Sequence, residues 1–448
     1  MKFALALLAA VLATLAAFAT ADNWAVLIAG SDTYSNYRHQ SDVAHAYRLL
    51  KAGGVPDERI VVMVANDIAN HRQNPFQGEV YNKPTTEAGG DVWKGLPIDY
   101  QGKDVTAENF LNVISGNSTA LPRSKVVKSG PNDNVFIFYS DHGSPGLIAM
   151  PYGPVLTVGA LKNTLINMSA NKQFGKLVFY LEACESGSMF DGWLTDDYRI
   201  YATTAANSVE SSWGFYCPPQ DAVRGTNIRS CLGDEYSISF LESVDAPGGY
   251  DQTLQANYEY LKKQVKGSHV QQFGDLSFAN LKLKDFLAEP GHALPAGTVP
   301  SLNDQLLAMT TTSIDSRDIQ LSYLYNLYMD KTVDEEERFE TGLELVKEMQ
   351  SRLSADMRFR QLSNSILGAS NSLKAATVEV APAVECGKCC EEAYNFLSTT
   401  TGECKFTDYS LRYGRVIQNV CMMNKAANED RTEVVMSKLR SVCSKSFF

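Results

Sequence analysis

The sequence predicts an α/β fold with a mainly parallel sheet flanked by helices, followed by an all-α C-terminal region held together by disulfides. Several short apolar runs rich in β-formers alternate with segments of helical periodicity, which is typical of βαβ units. Near residue 290 the sequence changes type, and beyond it come helical periodicity and most of the cysteines. With 448 residues and 44% hydrophobic content, the chain can form two or more domains with real cores.

The first part of the chain is predicted to form the sheet. Each predicted strand is apolar along its length, which is typical of a strand buried on both faces of a parallel sheet. Glycines and a proline at 53–56 end the first helix, and residues 66–104 lack periodicity and are predicted to be long loops. The predicted strands are 23–30, 59–65, 134–140, 177–182 and 199–205, and the predicted helices are 40–52 and 156–168.

The second part of the chain is predicted to be separate from the first. A catalytic unit over 22–288 is followed by a linker over 289–335, which carries prolines at 290, 295 and 300, and then by a helical domain over 336–448. The stretch Thr332-Val-Asp-Glu335 resembles a capping box. Apolar residues recur every three or four positions from Phe339 to Met357 and predict a helix over about 334–360.

Residues 1–21 indicate a secreted protein. They contain one lysine, a long apolar run and then Ala19-Thr20-Ala21, as in a secretory signal peptide. An uncleaved membrane anchor is the alternative, but the run is short for a span. The net charge of −11 and the pI near 5.2 argue against nucleic acid as a partner. If the chain is secreted, Asn117 and Asn167 are acceptors for glycosylation.

The cysteine count fits secretion. Of the nine cysteines, Cys184 stands apart, and an even remainder permits full pairing. We expect a Cys217–Cys231 bridge rather than two free thiols. The Cys-x-x-Cys at 386–389 could be half a zinc site, but no second such pair follows, so disulfides are favoured and no metal is expected.

Two predicted strands end in residues that suggest nucleophilic catalysis. Cys184 follows one strand and His142 follows another, 42 residues earlier in the chain. A lone Cys is ordinarily a buried structural residue, and a lone His ordinarily a turn residue. Together they can form a pair in which the imidazole activates the thiol and then protonates the leaving amine. The adjacent Gly143 lets the backbone approach closely, so the N–H groups of Gly143 and Cys184 are candidate oxyanion donors.

Several motifs in the right order resemble the legumain family of asparaginyl endopeptidases, relatives of the caspases. The resemblance runs from about Asn23 to the C-terminus, and it implies a caspase-like fold and no cofactor. It is carried by Ala-Gly-Ser (29–31), Asn-Tyr-Arg-His-Gln (36–40), Tyr-Ser-Asp-His-Gly-Ser (139–144), Glu-Ala-Cys-Glu-Ser-Gly-Ser-Met (182–189) and Tyr-Ala-Thr-Thr-Ala-Ala-Asn (201–207).

The resemblance also assigns roles that the residues alone do not. Asn36 would orient His142, whereas by itself it would be an ordinary loop residue. A succinimide at Asp141 is known in relatives, and Pro145 departs from the family's motif. A pocket for an Asn side chain needs a donor for its oxygen and acceptors for its nitrogen. The resemblance builds that pocket from Arg38, His39, Glu182, Ser212 and Asp234, each of which alone would be a solvated surface group.

What the resemblance implies about activity is an endopeptidase that cuts after Asn, and after Asp at acid pH. It would be made as a zymogen inhibited by its own C-terminal domain, with proteins and peptides as substrates and cystatin-type proteins as possible inhibitors. The expected location is the lysosome, the vacuole or the exterior. We expect self-processing at Asn326, or else at Asn303. By resemblance, two bridges would be Cys390–Cys421 and Cys404–Cys443.

Three alternatives stay open on the sequence. A peptide ligase would use the same Cys–His site with an amine as acceptor. A relative of the GPI transamidases is disfavoured, since no C-terminal membrane segment is present. A secreted glycoprotein that only binds would need neither Cys184 nor His142 intact.

Overall fold

The structure is a computed structural model that describes residues 21–85, 90–119, 121–123, 125–299, 313–368, 381–422 and 432–445. The predicted signal peptide therefore lies outside the described residues, apart from Ala21. Within the described ranges no helix is both long enough and apolar enough to cross a membrane. The segments 300–312, 369–380 and 423–431 are not described further.

A seven-stranded sheet forms the centre of the first part of the chain. Its order is β14-β9-β8-β4-β1-β2-β3, and every neighbouring pair is parallel except β14 with β9. The five predicted strands are all present, while β3 and the edge strand β14 were not predicted. The strands of the sheet are β1 Asn23–Ala29, β2 Ile60–Val64, β3 Tyr100–Gln101, β4 Asn134–Ser140, β8 Lys176–Glu182, β9 Ile200–Thr204 and β14 Gln271–Gly274.

Helices cover both faces of this sheet. On β8, Val178 and Tyr180 face one core while Leu177 and Phe179 face the other, and all four are fully buried. Such burial explains why the strands are apolar along their whole length. The helices of the first part are α1 Tyr37–Ala52, α2 Ala107–Ile114, α3 Val158–Ala170, α4 Glu235–Asp245, α5 Leu254–Gln264 and α6 Lys284–Leu287.

Short strands lie above the carboxyl edge of the sheet. Three of them, β13, β10 and β15, pair in that order in antiparallel fashion. The short strands are β5 Gly143–Ser144, β6 Leu147–Ile148, β7 Leu156–Thr157, β10 Trp213–Phe215, β11 Ala222–Val223, β12 Thr226–Asn227, β13 Gly233–Asp234 and β15 Ile314–Asp315.

The second part is helical, as predicted, and has its own core. Its apolar residues enclose Leu147 and Val155 of the first part, so the two parts share a packed surface. The expected architecture of a mainly parallel sheet with flanking helices and a disulfide-bonded helical region is confirmed. The helices of the second part are α7 Ile319–Met329, α8 Glu335–Leu367, α9 Lys388–Thr399, α10 Gly414–Met422 and α11 Thr432–Cys443.

Two local features differ from the expectations for 289–336. The predicted linker contains β15 and the helix α7, whose Tyr323, Leu324 and Leu327 are buried. The predicted capping box is not centred on Thr332. The side chain of Asp334 caps α8 by accepting from the N–H of Glu337, because Asp is as good an N-cap as Thr and stands two residues closer to the helix.

The disulfide prediction is right in two bridges and wrong in a third. Cys217–Cys231 and Cys404–Cys443 are formed. Cys421 pairs with Cys389 rather than Cys390, and Cys390 pairs with Cys386. Cys386 and Cys390 are four residues apart at the start of α9, where such residues share a side of the chain. Cys390 therefore forms a disulfide with its near neighbour Cys386 and is not available to Cys421. Cys184 is the free cysteine.

Candidate active site

Parallel pairing of β4 with β8 brings the two predicted catalytic residues to one edge. Ser140 and Glu182, the last residues of these strands, are in register. The N–H of Asp141 donates to the carbonyl of Glu182 at 3.0 Å, which extends that pairing by one residue. His142 and Cys184 each lie two residues beyond the register pair. The site therefore sits at the carboxyl end of the sheet, where chemistry is usually placed in such folds.

Cys184 is buried. Its sulfur accepts the main-chain N–H of Ser212 at 3.2 Å. Burial raises the pKa of the Cys184 thiol to about 11, while the nearby charge of Arg317 acts in the opposite direction. A thiol in this state is protonated at neutral pH and is a poor nucleophile.

His142 is oriented through one of its two ring nitrogens. Its Nε2 lies 2.9 Å from Oδ1 of Asn36, the residue that precedes α1. Its Nδ1 is buried and has no hydrogen-bond partner among the described residues. Asn36 is itself held, since Nη1 of Arg38 donates to the same Oδ1 at 3.0 Å. This arrangement leaves Nδ1 available to the reacting groups.

The predicted pocket residues converge from three elements. Arg38 is on α1, Glu182 ends β8 and Asp234 ends β13, and all three side chains are buried. Nε of Arg38 donates to Oδ1 of Asp234 at 2.8 Å. Oε2 of Glu182 accepts from the N–H and the hydroxyl of Ser237 at 3.0 and 3.1 Å. These contacts fix the orientation of each charged group.

Each of these groups keeps one buried polar atom without a hydrogen-bond partner among the described residues. They are Nη2 of Arg38, Oε1 of Glu182 and Oδ2 of Asp234. An unpaired buried polar atom is costly, so such atoms at one site indicate a ligand that pairs with them. One donor and two acceptors match the oxygen and the NH2 group of a side-chain amide.

Burial sets the charge states in the pocket. It raises the pKa of Glu182 well above its ordinary value, and the charge of Asp234 adds to this effect. It raises the pKa of Asp234 as well, although Arg38 opposes the rise. Burial lowers the pKa of His39 well below its ordinary value, with Arg38 and His142 contributing. His39 is therefore neutral, and its Nδ1 lies 2.6 Å from the hydroxyl of Ser31.

Asp141 and Gly143 surround His142 in sequence and occupy tight positions. Both carboxyl oxygens of Asp141 are buried without hydrogen-bond partners among the described residues, and burial raises its pKa well above the ordinary value. A Cβ at Gly143 would collide with the carbonyl oxygen of Cys184. Only glycine permits this approach, which keeps the backbone of Gly143 beside the nucleophile.

A segment of the predicted linker lies beside Ser212, the residue that contacts Cys184. Strand β15 pairs with β10, and the N–H of Ser316 donates to the carbonyl of Ser212 at 3.1 Å. The next side chain, Arg317, donates to Oε2 of Glu185 at 2.5 Å and to the carbonyl of Gly143 at 3.3 Å. Ser316 and Arg317 were not predicted, because nothing local in the sequence marks a strand that forms only against another part of the chain.

A carboxylate of the C-terminal region reaches the catalytic histidine candidate. Oδ2 of Asp408 lies 3.3 Å from Nε2 of His142 and accepts from Nδ2 of Asn36 at 3.0 Å. Burial alone would raise the pKa of Asp408, but His142 and Asn36 outweigh it and hold that pKa well below its ordinary value. Asp408 was also missed, since an isolated Asp in a helical region gives no signal in the sequence.

The remaining predicted sites are placed as follows. Asn326 lies inside α7, where cleavage would require the helix to unwind, and Asn303 lies outside the described residues. Asn117 is exposed after α2, and Asn167 is exposed on α3. All of these remain predictions.

Comparison with known proteins agrees with this geometry. The model of the peptidase C13 family matches residues 23–295. A vacuolar-processing enzyme of Vicia sativa is 36% identical over 408 residues, which cover 89% of this chain and 82% of the relative. The delta-isozyme of Arabidopsis thaliana is 37% identical over 433 residues, covering 94% and 90%. Legumain of Canavalia ensiformis is 35% identical over 423 residues, covering 91% and 87%.

Proposed function

The chain belongs to the peptidase C13 family and is a cysteine endopeptidase, and from that premise we propose that it cleaves peptide bonds on the carboxyl side of Asn. The unpaired atoms of Arg38, Glu182 and Asp234 carry this proposal. The substrate oxygen would accept from Nη2 of Arg38, and the substrate NH2 would donate to Glu182 and Asp234. Ser212 borders the pocket beside Cys184.

In this proposal the reaction follows the usual acyl-enzyme course. The Cys184 sulfur attacks the scissile carbonyl, and the N–H groups of Gly143 and Cys184 stabilise the oxyanion. His142 takes up the thiol proton through Nδ1 and gives a proton to the leaving amine. Asn36 keeps the ring in place through Nε2. Water then releases the acyl group and regenerates the thiol.

Cleavage after Asp should require acid. An ionised Asp would place a carboxylate oxygen against Asp234, the charged partner of Arg38, which is an unfavourable contact of like charges. A protonated Asp presents an OH where Asn presents NH2. Since the pKa of a free Asp is about 3.9, this form becomes abundant only as pH falls toward roughly 4.

We further propose that the full chain is a zymogen that its own C-terminal part inhibits. Three observations support this: β15 pairs with β10 next to Ser212, Arg317 contacts Glu185 next to Cys184, and Asp408 contacts His142. The lowered pKa of Asp408 means that its contact stabilises the closed form fully above about pH 4 and progressively less as pH falls below that value. Acid should therefore favour opening.

The relatives named as vacuolar-processing enzymes support a route through the secretory pathway. Four disulfides fit an oxidising compartment. We propose the lysosome, the vacuole or the exterior as the destination.

The test uses acid-processed enzyme and three peptides that differ only in Asn, Asp or Ala before the scissile bond. We expect kcat/KM at pH 6 to be at least about 100-fold higher for Asn than for Ala, since a buried polar pocket rejects a side chain that leaves its groups unpaired. Equal values for Asn and Ala would refute the proposed specificity.

A further inference from the structure

We propose that Asp42 is a positioning residue of the Asn pocket, and that it holds the strand bearing Asp234 against the strand that leads to His142. Asp42 lies on α1, one turn beyond Arg38, and is fully buried. It acts on the pocket through Asp234, whose main-chain N–H its carboxyl group accepts. The inference rests on the proposed function, because it concerns the same pocket.

The Asp42 carboxyl group joins three separate elements. Its Oδ2 accepts the main-chain N–H of Asp234 at 3.2 Å and lies 3.3 Å from the hydroxyl of Ser140. Its Oδ1 accepts from Nδ2 of Asn82 at 2.7 Å. Asp234 supplies an acceptor of the pocket, and Ser140 ends β4 two residues before His142. The Asp42 carboxyl group therefore sets the distance between β13, which carries Asp234, and β4, which leads to His142.

Asp42 is itself held by a hydrogen-bonded network. Nδ2 of Asn82 also donates to the carbonyl of Leu232 at 3.0 Å, and Oδ1 of Asn82 lies 2.7 Å from Nδ1 of His45. Nε2 of His45 in turn lies 2.8 Å from Oδ2 of Asp245 at the surface. A side chain fixed in this way loses no further rotamer freedom when substrate binds, which is what a positioning residue requires.

Asp42 and Asp234, the pocket acid that it positions, differ in protonation state. The charged groups that act on Asp42 are Asp234 on β13 and Glu182 on β8. Burial, followed by the charge of Asp234, raises the pKa of Asp42 well above its ordinary value, and the contact with Asn82 only partly offsets this. Asp42 is then the neutral acid, and Asp234 is the charged partner of Arg38.

A neutral carboxyl group can be replaced by a carboxamide with little loss, whereas an apolar or short side chain cannot replace it. Asn at position 42 keeps an acceptor for the N–H of Asp234. Leu and Ser at position 42 leave that N–H without its present partner, and Asp234 can then shift. The rate on Asn substrates should fall while the thiol itself keeps its reactivity.

The experiment compares Asp42→Asn, Asp42→Leu and Asp42→Ser, each made as the full chain and processed in acid. The peptide rate is kcat/KM per active site for the Asn peptide. The pocket-independent rate is modification of Cys184 by methyl methanethiosulfonate, a small reagent with no amide group. Asp221→Leu is the matched control, because Asp221 is an equally buried acid whose Oδ2 accepts the N–H of Arg229 instead.

We expect Asp42→Leu and Asp42→Ser to lose about 50-fold in the peptide rate, mostly through KM, since a buried donor loses its partner in the pocket wall. The thiosulfonate rate should change less than about threefold in the same variants, and Asp42→Asn should lose less than about tenfold in the peptide rate. If Asp42→Leu does not fold, Asp42→Ser decides by the same criterion. The peptide rate of Asp221→Leu per active site should stay within about threefold of wild type.

Parallel losses of both rates in the variant that folds would make Asp42 a structural residue and overturn the inference. A peptide rate of Asp42→Ser within threefold of wild type would also overturn it. So would a loss of peptide rate in Asp42→Asn as large as that in Asp42→Ser. Wild-type enzyme that does not prefer Asn to Ala would refute the proposed specificity first. A preference that Asp42→Ser leaves intact would refute only the role of Asp42.

Discussion

The sheet and the helical C-terminal region use their apolar residues in different ways. On β8, alternate side chains face two cores, and those from Leu177 to Leu181 are fully buried. On α8, the predicted stripe is open, because Phe339, Leu343 and Val346 are 67%, 50% and 52% exposed. An apolar strand in a parallel sheet is covered on both faces, whereas an amphipathic helix is covered only where another element meets it.

This difference extends to how each part contributes to the site. The sheet supplies a rigid edge, where His142 and Cys184 each lie two residues beyond the paired Ser140 and Glu182. The C-terminal part meets that edge through polar contacts, including Asp408 with His142 and the hydroxyl of Ser144 with the carbonyl of Leu411. The Asp408 contact depends on the charge of its carboxylate and weakens in acid, whereas the register of the strands involves no titratable group.

The largest effect should come from the nucleophile on the sheet. Cys184→Ala should lower peptide hydrolysis by at least about 1000-fold, as removal of a catalytic dyad member does in other hydrolases. The change removes only the sulfur atom, so the thermal unfolding midpoint should shift little. Initial rates of processed enzyme check this, and residual activity above roughly 1% would point to a different nucleophile.

The next largest effect on kcat/KM should come from Arg38, the proposed hydrogen-bond donor of the Asn pocket. Arg38→Ala removes the proposed donor to the substrate oxygen and leaves Asp234 without its ion-pair partner. We expect kcat/KM for Asn peptides to fall by about 100-fold or more, because a buried charge loses its pairing. Arg48→Ala, on the exposed side of the same helix, is the control, and its kcat/KM should remain within about twofold of wild type.

Two leucines on α8 test the comparison directly. Leu362 is fully buried in the C-terminal core, while Leu343 is 50% exposed. Leu362→Ala should lower the free energy of unfolding by about 2–5 kcal/mol, since it leaves a cavity. Leu343→Ala should cost less than about 1 kcal/mol. Urea unfolding of the full chain measures both, and equal costs would show that the stripe at Leu343 is covered in solution.

The smallest effect concerns latency. Asp408→Asn keeps the size of the side chain but removes the charge beside His142. The stability that a lowered carboxyl pKa provides is present above the ordinary pKa of about 3.9 and lost below it. The variant should thus open at higher pH than wild type, with activity of the unprocessed chain at pH 6 raised about tenfold. An activation profile that matches wild type at every pH would show that Asp408 does not contribute to latency.

Local pattern predicted five of the seven strands of the central sheet, the helices near 40–52, 156–168 and 334–360, and the pair Cys184–His142. Each of these depends on residues close in sequence or on the geometry of parallel strands. It did not identify Arg317 or Asp408, whose roles arise from contacts between distant segments. The resemblance paired Cys390 with Cys421, whereas the structure pairs the adjacent Cys389 with Cys421; two adjacent cysteines are equivalent in a sequence, so their pairing could not be derived from it.

The central claim is that Arg38, Glu182 and Asp234 recognise a side-chain amide, and the ratio of kcat/KM for paired Asn and Asp peptides from pH 4 to pH 7 tests it most directly. Protonating a free Asp costs about 4 kcal/mol at pH 7 and almost nothing near its pKa. The account predicts a ratio of at least about 100 at pH 7 that falls steeply toward pH 4 as Asp cleavage appears. A ratio that stays constant across this range would contradict it.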